Sequence, residues 1–462
     1  MNMDRSKGNI LTWKQLRKVR LFSHGKRLLK SGDYVRAYII FDWLAEHKPE
    51  CMEYQQCLEH CRASITREYK HLSSCGRLFY SKRHSKESLD SRLIAMLLPV
   101  ADRDCLHDIL TVIKEIRNPY YSIPLEANWH AQHHDFSNWA DSMNKYLRLF
   151  TMSCSNSVHI RNDSSSANPK HILESLEVED TTYQQKIADS TKKISIVMSA
   201  YNAEHTIGYA IKSLLNQSYI DFELVIVDDG SSDNTAGIIK EFARLDERIK
   251  PIFLEQNMGT YYCRNIALSR ASGTYITTHD ADDFCHPFRL SMQAQFFEED
   301  NSRAAVISQW LRIKPTGEIL YHNKRGGDFL HGGLATMMYR RDIVDRLGFY
   351  DQVRFSADTE YLFRIRSVFG HNSVGILRQP LVLAAATKNS LTGAKASYAD
   401  SFLGDCENRF KYRQAWEQWH KQKSPDLYMP MNPVTRPFSA PEDMLTKRCA
   451  EKQADLSSGG QI

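Results

Sequence analysis

The sequence lacks the patterns that mark membrane-spanning, exported and disulfide-rich proteins. Its longest apolar runs, around Leu93–Ala101 and Leu381–Ala386, are too short to cross a bilayer. The first residues, Met-Asn-Met-Asp-Arg-Ser-Lys, contain no apolar signal region, so we expect no export. The ten cysteines follow no regular disulfide spacing, which is typical of reduced thiols in a cytosol. We therefore expect a cytoplasmic protein.

Two phosphate-binding signatures are also missing. There is no Gly-x-x-x-x-Gly-Lys-Ser/Thr segment, and no Gly-x-Gly-x-x-Gly follows the first predicted strand of the sheet domain. A nucleotidyltransferase normally has a basic, Gly-rich loop at that point, and Ser199–Ile207 provides none. The net charge of +5 is small for 462 residues, so composition does not indicate a nucleic-acid partner.

Residues 1–150 are predicted to be helical and partly tetratricopeptide-like. From Lys30 the chain carries Gly-Asp-Tyr, a later Ala and Phe, and a closing proline at Pro49, which resembles half of such a helical hairpin. No second copy follows at a fixed period. The apolar residues of this stretch that share one helical stripe are Tyr34, Ala37, Phe41 and Leu44.

The segment 13–30 is strongly basic. It has seven Lys or Arg residues from Lys14 to Lys30 and no acidic residue, with apolar side chains among the cations. Such a segment can lie on an anionic membrane surface, and it can equally be the solvated face of a packed helix. The sequence leaves both interpretations open.

The remaining chain divides by composition. Residues 151–192, rich in Ser and Asn, are predicted to be a linker, and the Pro- and Met-rich residues 424–462 a loose tail. Residues 193–423 are predicted to form an α/β domain with a mostly parallel sheet, because short buried strands alternate with amphipathic helices. The predicted strands are 194–199, 222–227, 251–254 and 274–278, and the helices between them are 204–216, 233–245 and 260–271.

Polar residues follow each predicted strand, and the carboxyl ends of parallel strands share one edge of a sheet. The fourth strand leads into three carboxylates, Asp280, Asp282 and Asp283. Clustered carboxylates repel each other unless a cation lies among them, so this cluster predicts a divalent-metal site. A helix cap is the alternative, but a cap requires one Asp rather than three.

Five ordered motifs carry a family resemblance. They are Ser-Ala-Tyr-Asn-Ala from Ser199, Val-Asp-Asp-Gly-Ser-Ser-Asp-Asn-Thr around Asp228, Asn-Met-Gly-Thr-Tyr from Asn257, Arg264-Asn, and His-Asp-Ala-Asp-Asp. Together they resemble the nucleotide-binding half of family 2 inverting glycosyltransferases, which have the GT-A fold. The full His-Asp-Ala-Asp-Asp-Phe-Cys-His-Pro form is similar to bacterial surface-polysaccharide transferases with an added N-terminal region.

The resemblance implies roles for individual residues. Asp229 would contact the uracil of a UDP-sugar, Asp280 and Asp282 would hold Mn²⁺ or Mg²⁺ with the ribose and diphosphate, and Arg264 would neutralise phosphate or pack on the base. The residues expected to bind the nucleotide sugar are Ser199, Tyr201, Asp228, Asp229, Asn257, Arg264, Asp280 and Ala281.

Asp358 occupies the position of the family's catalytic base, although Ala357 replaces the Glu that commonly precedes it. From the residues alone, Asp358 could equally cap a helix, and Glu360 is the alternative base. His331 and His371 are further candidates for metal or substrate contacts, although ordinary structural roles are commoner for such histidines. His279 and His286 flank the aspartates and could support them.

The function implied is metal-dependent transfer of a sugar from a nucleotide-sugar donor, with inversion, to a glycan or lipid-linked acceptor in bacterial surface or capsular polysaccharide synthesis. This would take place in the cytoplasm or at the inner face of the cell membrane. The family's processive signature Gln-x-x-Arg-Trp is absent, so we expect single or distributive transfer. The alternatives are a nucleotidyltransferase and a non-catalytic nucleotide-binding scaffold.

Overall fold

The protein is described from a computed structural model, which covers residues 13–30, 50–61, 119–150, 158–160, 172–178, 192–321, 329–386, 407–423 and 426–446, with isolated positions between 37 and 64. The chain divides into two units. The first comprises residues 1–129, 323–327 and 392–404, and the second comprises residues 130–322, 328–391 and 405–462.

The described residues of the first unit are helical except at 50–51. Helix α1 (Trp13–Lys30) is followed by helical residues at 52–61 and at the described positions between 37 and 45. Of the predicted apolar stripe, Ala37, Phe41 and Leu44 are fully buried, and Tyr34 lies outside the described residues. The Phe22 ring lies 6.0 Å from the Phe41 ring. The prediction of a helical N-terminal region is confirmed in these stretches.

The second unit combines helices with two sheets. Helix α2 crosses the boundary between the units at residue 130. The helices are α2 (Pro119–Gln132), α3 (Phe136–Arg148), α4 (Ile207–Leu215), α5 (Thr235–Leu245), α6 (Thr260–Arg270), α7 (Arg289–Glu299), α8 (Arg341–Leu347), α9 (Ala357–Phe369) and α10 (Glu407–Lys423). The strands are β1 (Val158–Ile160), β2 (Leu176–Val178), β3 (Ile194–Ala200), β4 (Phe222–Asp228), β5 (Ile249–Phe253), β6 (Tyr275–Thr278), β7 (Phe284–Cys285), β8 (Ala305–Ile313), β9 (His331–Gly332), β10 (Met338–Arg340) and β11 (Val374–Ala385).

Within the described residues, the main sheet has nine strands in the order β5-β4-β3-β6-β10-β8-β11-β7, with β9 beside β8. Strands β5, β4, β3 and β6 are parallel. Strand β10 is antiparallel to both β6 and β8, whereas β8 and β11 are parallel to each other. The β-α-β half therefore follows the predicted topology, and the second half adds antiparallel strands.

Buried apolar runs explain the parallel half. Every residue of β4 is buried, and β3 is buried except at Ser199. Helix α6 packs on β3 and β4, and α5 packs on β4 and β5. Strands that are covered on both faces have continuous apolar sequences, without alternation of apolar and polar residues. The predicted fold class, an α/β domain of GT-A type preceded by a helical region, is confirmed.

The stretch predicted to be a linker contains regular structure. Strands β1 and β2 form an antiparallel pair, and a short 3₁₀ helix over Ile172–Ser175 precedes β2. Helix α3, predicted as part of the N-terminal region, belongs to the second unit. Its Trp139 is fully buried, and the indole Nε1 donates to the carbonyl oxygen of Gly317 at 2.8 Å.

Residues 426–446 are packed, which differs from the predicted loose tail. Leu427, Met429 and Met444 are buried in the same apolar cluster as residues of α6, α9 and α10. The backbone N–H of Met429 donates to Leu347, and the carbonyl of Met429 accepts from Phe349, both at 2.9 Å. The content of proline and methionine predicted a loose tail, but Met429 and Met444 are buried in the core.

No helix of the described residues is long and apolar enough to span a membrane.

Candidate functional site

The loops that follow β3 and β4 are hydrogen-bonded to each other at the sheet edge. Asn202 adopts a positive φ of 48°, and its backbone N–H donates to Ser231 Oγ at 2.9 Å. The Asn202 side chain accepts from the Ser232 backbone N–H at 2.9 Å. Asp228, buried at the end of β4, accepts from Ser231 Oγ at 2.5 Å. These bonds hold together a polar rim made of residues 199–202 and 228–232. Tyr201 in this rim is 51 % exposed to solvent.

Asp229 organises a third loop next to this rim. Its two carboxylate oxygens accept the backbone N–H groups of Met258 at 2.6 Å and Gly259 at 2.9 Å. Burial raises the pKa of Asp229, and the hydrogen bonds to its charged form offset only part of this effect. The structure therefore assigns Asp229 a loop-holding role. Asn257 at the tip of the same loop is exposed, and Ser199 at the end of β3 is half-buried.

Glycine is required where this loop approaches the rim. Gly230 has a φ of 69°, and a Cβ added there would lie 2.8 Å from the backbone carbonyl carbon of Gln256. Only a residue without a side chain permits both the positive φ and this approach. The close packing brings the ends of β4 and β5 together beside Asp229.

Three carboxylates converge directly after β6. One oxygen from each of Asp280, Asp282 and Asp283 lies within 4.8 Å of the others. Asp280 and Asp282 are half-buried, whereas Asp283 and the intervening Ala281 are buried. Arg264, buried in α6, donates from its guanidinium to Asp280 at 2.5 Å. The predicted metal residues and the predicted phosphate-neutralising arginine are thus neighbours.

The electrostatics of this cluster favour a bound cation. Burial and the charge of Asp280 raise the pKa of Asp282 to about 7. Burial and the charges of Asp282 and Asp280 raise the pKa of Asp283 well above its usual range. A divalent cation would relieve this repulsion, and oxygen-only ligands suit Mg²⁺ or Mn²⁺. The residues present therefore fit the metal that the sequence predicts.

A buried arginine and histidine hold the turn that carries the carboxylates. Arg289 donates to Thr277 Oγ1 at 2.6 Å, to the Thr278 carbonyl at 2.7 Å and to His279 Nδ1 at 3.1 Å. His279 Nε2 must then carry the proton, and it donates to the Asp283 carbonyl at 3.1 Å. Burial and Arg289 lower the pKa of His279 to about 3, so this histidine is neutral and supports the cluster as a fixed donor.

His286, the second histidine predicted to support the aspartates, is buried behind the cluster. Its Nδ1 accepts from the Phe288 backbone N–H at 3.3 Å, and burial lowers its pKa to about 4. This histidine is neutral and caps a backbone turn. Within the described part of the chain, its ring contacts no carboxylate.

Asp358 lies in the first turn of α9 and is half-buried. The preceding Ser356 has a positive φ of 73°, which is uncommon for a residue other than glycine. The charge of Asp358 contributes to the raised pKa of both Tyr261 and Arg264. Because Arg264 also binds Asp280, the candidate base and the carboxylate cluster share one electrostatic environment.

Glu360, the alternative base, and the candidate histidines His331 and His371 lie in other surroundings. Glu360 has no exposed surface and accepts from Arg364 at 2.6 and 2.9 Å and from His420 at 2.9 Å. This carboxylate is fully engaged in a buried ionic network, which removes it as a free base. His371 is exposed beyond the far end of α9, about 20 Å from Asp358 along the helix. His331 is half-buried in β9.

The sequence did not identify two residues that take part in the carboxylate cluster or lie near it, Asp283 and Arg312. Asp283 was noted as a carboxylate of the run but was not assigned as a ligand, although its oxygen lies with those of Asp280 and Asp282. Burial and neighbouring carboxylates raise the pKa of both Asp282 and Asp283, and the charge of Arg312 of β8 opposes this rise. The carboxylate run itself pointed to Asp283. No local signal identifies Arg312, because the sheet brings it close from a distant segment.

Residues 195–362 match the model of the family described as Glycosyl transferase family 2. The chain is 34 % identical over 177 residues to "Putative glycosyltransferase EpsE" of Bacillus subtilis, covering 36 % of this chain and 63 % of that protein. It is 44 % identical over 108 residues to "UDP-Glc:alpha-D-GlcNAc-diphosphoundecaprenol beta-1,3-glucosyltransferase WfgD" of Escherichia coli, covering 23 % and 42 %.

These matches span about half the length of the curated relatives. Among solved structures, the chain is similar to S. aureus TarS 1-349 in complex with UDP, with 22 % identity, a TM-score of 0.35, and coverage of 42 % of this chain and 61 % of that one. It is also similar to the mannosyltransferase PcManGT from Pyrobaculum calidifontis in complex with GDP-Man and Mn²⁺, with 14 % identity, a TM-score of 0.36, and coverage of 77 % and 88 %.

Proposed function

We propose that the protein, of which residues 195–362 match the Glycosyl transferase family 2 model, transfers a sugar from a nucleotide-sugar donor to a glycan or lipid-linked acceptor, with inversion at the anomeric carbon. One observation carries the proposal. Arg264 binds Asp280 of the carboxylate cluster and also interacts electrostatically with Asp358, so one buried arginine links the proposed metal site to the proposed base. A scaffold that only retained a nucleotide would not need this second carboxylate.

The donor would bind along the rim formed after β3, β4 and β5. Tyr201 offers an exposed aromatic ring for a base, and Asp228 and Asp229 lie at the end of the neighbouring strand. Ser199, Asn257 and the loop held by Asp229 complete the nucleoside end. A divalent cation on Asp280, Asp282 and Asp283 would supply positive charge to the diphosphate and stabilise its departure. Ala281, between Asp280 and Asp282 in the sequence, is buried.

Asp358 would act as the general base. An acceptor hydroxyl is a poor nucleophile near neutral pH, so a carboxylate within hydrogen-bond reach must accept its proton as the oxygen attacks the anomeric carbon. Attack from the face opposite the diphosphate inverts the configuration. Asp358 is half-buried, its Oδ1 accepts from the Thr359 backbone N–H at 2.7 Å, and its carboxylate is hydrogen-bonded to the Tyr261 side chain.

UDP is the donor nucleotide that we propose, and the acceptor is a glycan on a lipid diphosphate. The name of the relative WfgD describes a UDP-glucose donor and a diphosphoundecaprenol-linked acceptor, which supports this choice. We extend the proposal to bacterial surface or capsular polysaccharide synthesis at the cytoplasmic face of the membrane. The exposed side chains Lys26, Arg27 and Lys30 of α1 fit a peripheral contact with anionic lipid.

The test compares the wild type with Asp358→Asn. Donor binding is measured by calorimetry with UDP-glucose and UDP-N-acetylglucosamine in Mn²⁺, and transfer is measured with a soluble alkyl-diphospho-N-acetylglucosamine. The variant should bind donor normally and lose transfer by roughly 10²–10⁴-fold. Asp300→Asn, at an exposed carboxylate after α7, is the matched control and should transfer as the wild type does. Near-normal transfer by Asp358→Asn would rule out the assigned base.

A further inference from the structure

Helix α4 and the residues at its C-terminal end contact the metal-ligand segment through a row of buried polar side chains. Tyr209 Oη donates to the backbone carbonyl of Asp282 at 2.6 Å. Four residues on, Ser213 Oγ accepts a backbone N–H at 2.9 Å. After four more, Gln217 donates to a backbone carbonyl at 2.8 Å and accepts a backbone N–H at 3.1 Å. Residues with this spacing lie on one helical face, and the row follows the backbone of residues 282–290.

The Tyr209 bond differs from the rest of this row because its acceptor belongs to a metal ligand. The carboxylate oxygens of Asp280, Asp282 and Asp283 lie within 4.8 Å of one another. Like charges at this spacing repel each other, and the repulsion favours a wider turn when no cation is bound. A bond that holds the backbone of one ligand opposes this widening. It keeps the oxygens at a spacing that suits a small cation.

The neighbouring ligands have anchors of their own. The Asp283 carbonyl accepts from His279, and the Asp283 carboxylate accepts from the Ala385 N–H at 2.9 Å. Arg264 donates to the Asp280 carboxylate. Each of these bonds fixes one ligand residue from a different part of the fold.

Tyr209 supplies the corresponding anchor for Asp282. The phenol is 8 % exposed, so water has little access to the bond. Burial and the nearby carboxylates raise the pKa of Tyr209, so the phenol stays protonated and acts as a donor.

We propose that Tyr209 is a positioning residue for the metal, which holds the Asp282 carbonyl and thereby keeps the Asp282 carboxylate beside those of Asp280 and Asp283. The inference rests on the proposed function and deepens it, because it names a residue outside the ligand set on which metal affinity depends. The phenol acts through the backbone of Asp282. Outer partners of this kind commonly change metal affinity by about 10- to 100-fold.

The experiment compares two phenylalanine variants of the full-length chain. Tyr209→Phe keeps the ring and removes the O–H. Tyr219→Phe is the matched control, because Tyr219 is also buried and its O–H donates to a backbone carbonyl at the same distance, 2.6 Å, that of Lys192. Lys192 precedes β3, so it lies roughly 20 Å from the carboxylates along the strands.

Calorimetry without nucleotide measures the dissociation constant of Mn²⁺, and melting temperatures in EDTA verify that both variants are folded. Tyr209→Phe should weaken Mn²⁺ binding by about tenfold or more, whereas Tyr219→Phe should bind Mn²⁺ as the wild type does. Hydrolysis of UDP-glucose over a range of Mn²⁺ concentrations gives a second measure. The apparent KM for Mn²⁺ should rise by the same factor in Tyr209→Phe, and kcat should recover when Mn²⁺ is saturating, because excess metal refills the site.

An unchanged Mn²⁺ dissociation constant in Tyr209→Phe overturns the positioning role, and so does an equal weakening in Tyr219→Phe. A kcat that saturating Mn²⁺ does not restore also overturns it, because a general structural defect lowers turnover at every metal concentration. A wild type that binds no Mn²⁺ overturns this role together with the proposed metal site. A wild type that binds Mn²⁺ but consumes no UDP-sugar refutes the proposed function, and the binding comparison still decides the role of Tyr209.

Discussion

Replacement of Asp282 by asparagine should stabilise the metal-free protein and abolish its response to a divalent cation. Without a cation, burial and the charge of Asp280 raise the pKa of Asp282 from 3.8 to about 7. A carboxyl whose pKa is higher in the folded state opposes folding once the pH exceeds its unfolded value. This penalty begins near pH 4 and is complete above about pH 7. Asparagine has a similar shape and no charge, so it removes the penalty.

The magnitude follows from the size of the shift. A difference of about three pH units corresponds to about 4 kcal/mol at pH 8, which is an upper limit. Asp282 is half-buried rather than fully buried and shares the repulsion with Asp280 and Asp283, so we expect about 1–3 kcal/mol. The gain should fall to about 0.5 kcal/mol at pH 4, where the carboxyl is protonated in the folded protein and about half protonated in the unfolded chain.

Urea denaturation of the wild type and Asp282→Asn at pH 8 and pH 4 measures this effect, in EDTA and in Mn²⁺. Manganese should stabilise the wild type by mass action and leave the variant unchanged. Asp300→Asn, which removes an exposed carboxylate outside the cluster, should keep the full metal response. The reasoning fails if Asp282→Asn is less stable than the wild type in EDTA at pH 8, or if Mn²⁺ still stabilises it.

Three further substitutions test the surrounding fold. Glu360→Gln should lower the free energy of unfolding by about 3–5 kcal/mol, because it leaves the buried charge of Arg364 unpaired; a change below 1 kcal/mol in urea denaturation would contradict this. Burial opposes ionisation of Glu223, but its hydrogen bonds prevail and lower the pKa to about 2, so its contribution is present above pH 4.5 and is lost as the pH falls towards 2. Glu223→Gln should therefore cost less at pH 3 than at pH 7, and equal costs would refute the assignment. Gly348→Ala should lower the melting temperature, because Gly348 has a φ of 75° and a Cβ would lie 2.1 Å from the Met429 carbonyl oxygen; an unchanged melting temperature would argue against this packing.

Local patterns predicted the parallel half of the fold well. The four predicted strands and three predicted helices between residues 194 and 278 correspond to β3–β6 and α4–α6, with boundary differences of a few residues. Each strand there is a buried apolar run, and each connection is short. Elements that are consecutive in the sequence are therefore neighbours in the fold, and the local pattern predicts the topology. The position of the carboxylates followed from the same rule, because they come directly after β6.

The antiparallel half depends on contacts that no local pattern encodes. Strand β10 is only three residues long and lies between β6 and β8. Arg312 approaches the cluster because β11 joins β8 to β7 across long sequence separations. The sequence around Arg312 does not indicate which distant residues this side chain will approach. This side chain became a candidate only through the strand register.

The C-terminal segment shows that the site extends beyond the family match. That match ends at residue 362, inside α9, which carries Asp358. The backbone leading to α9 pairs with the C-terminal segment, because Val353 bridges Leu445 and the Arg354 N–H donates to Met444 at 2.8 Å.

The same segment reaches the loop held by Asp229. A Cβ on Gly259 would lie 3.2 Å from Thr446 Cγ2. Residues 442–446 therefore contact both the loop beside the proposed nucleotide rim and the approach to the proposed base. Since the apolar side chains Met444 and Leu445 are buried at this contact, removing the segment would expose the core next to Asp358 and free the turn at Ser356. The geometry of the site thus depends on residues that the family motifs do not include.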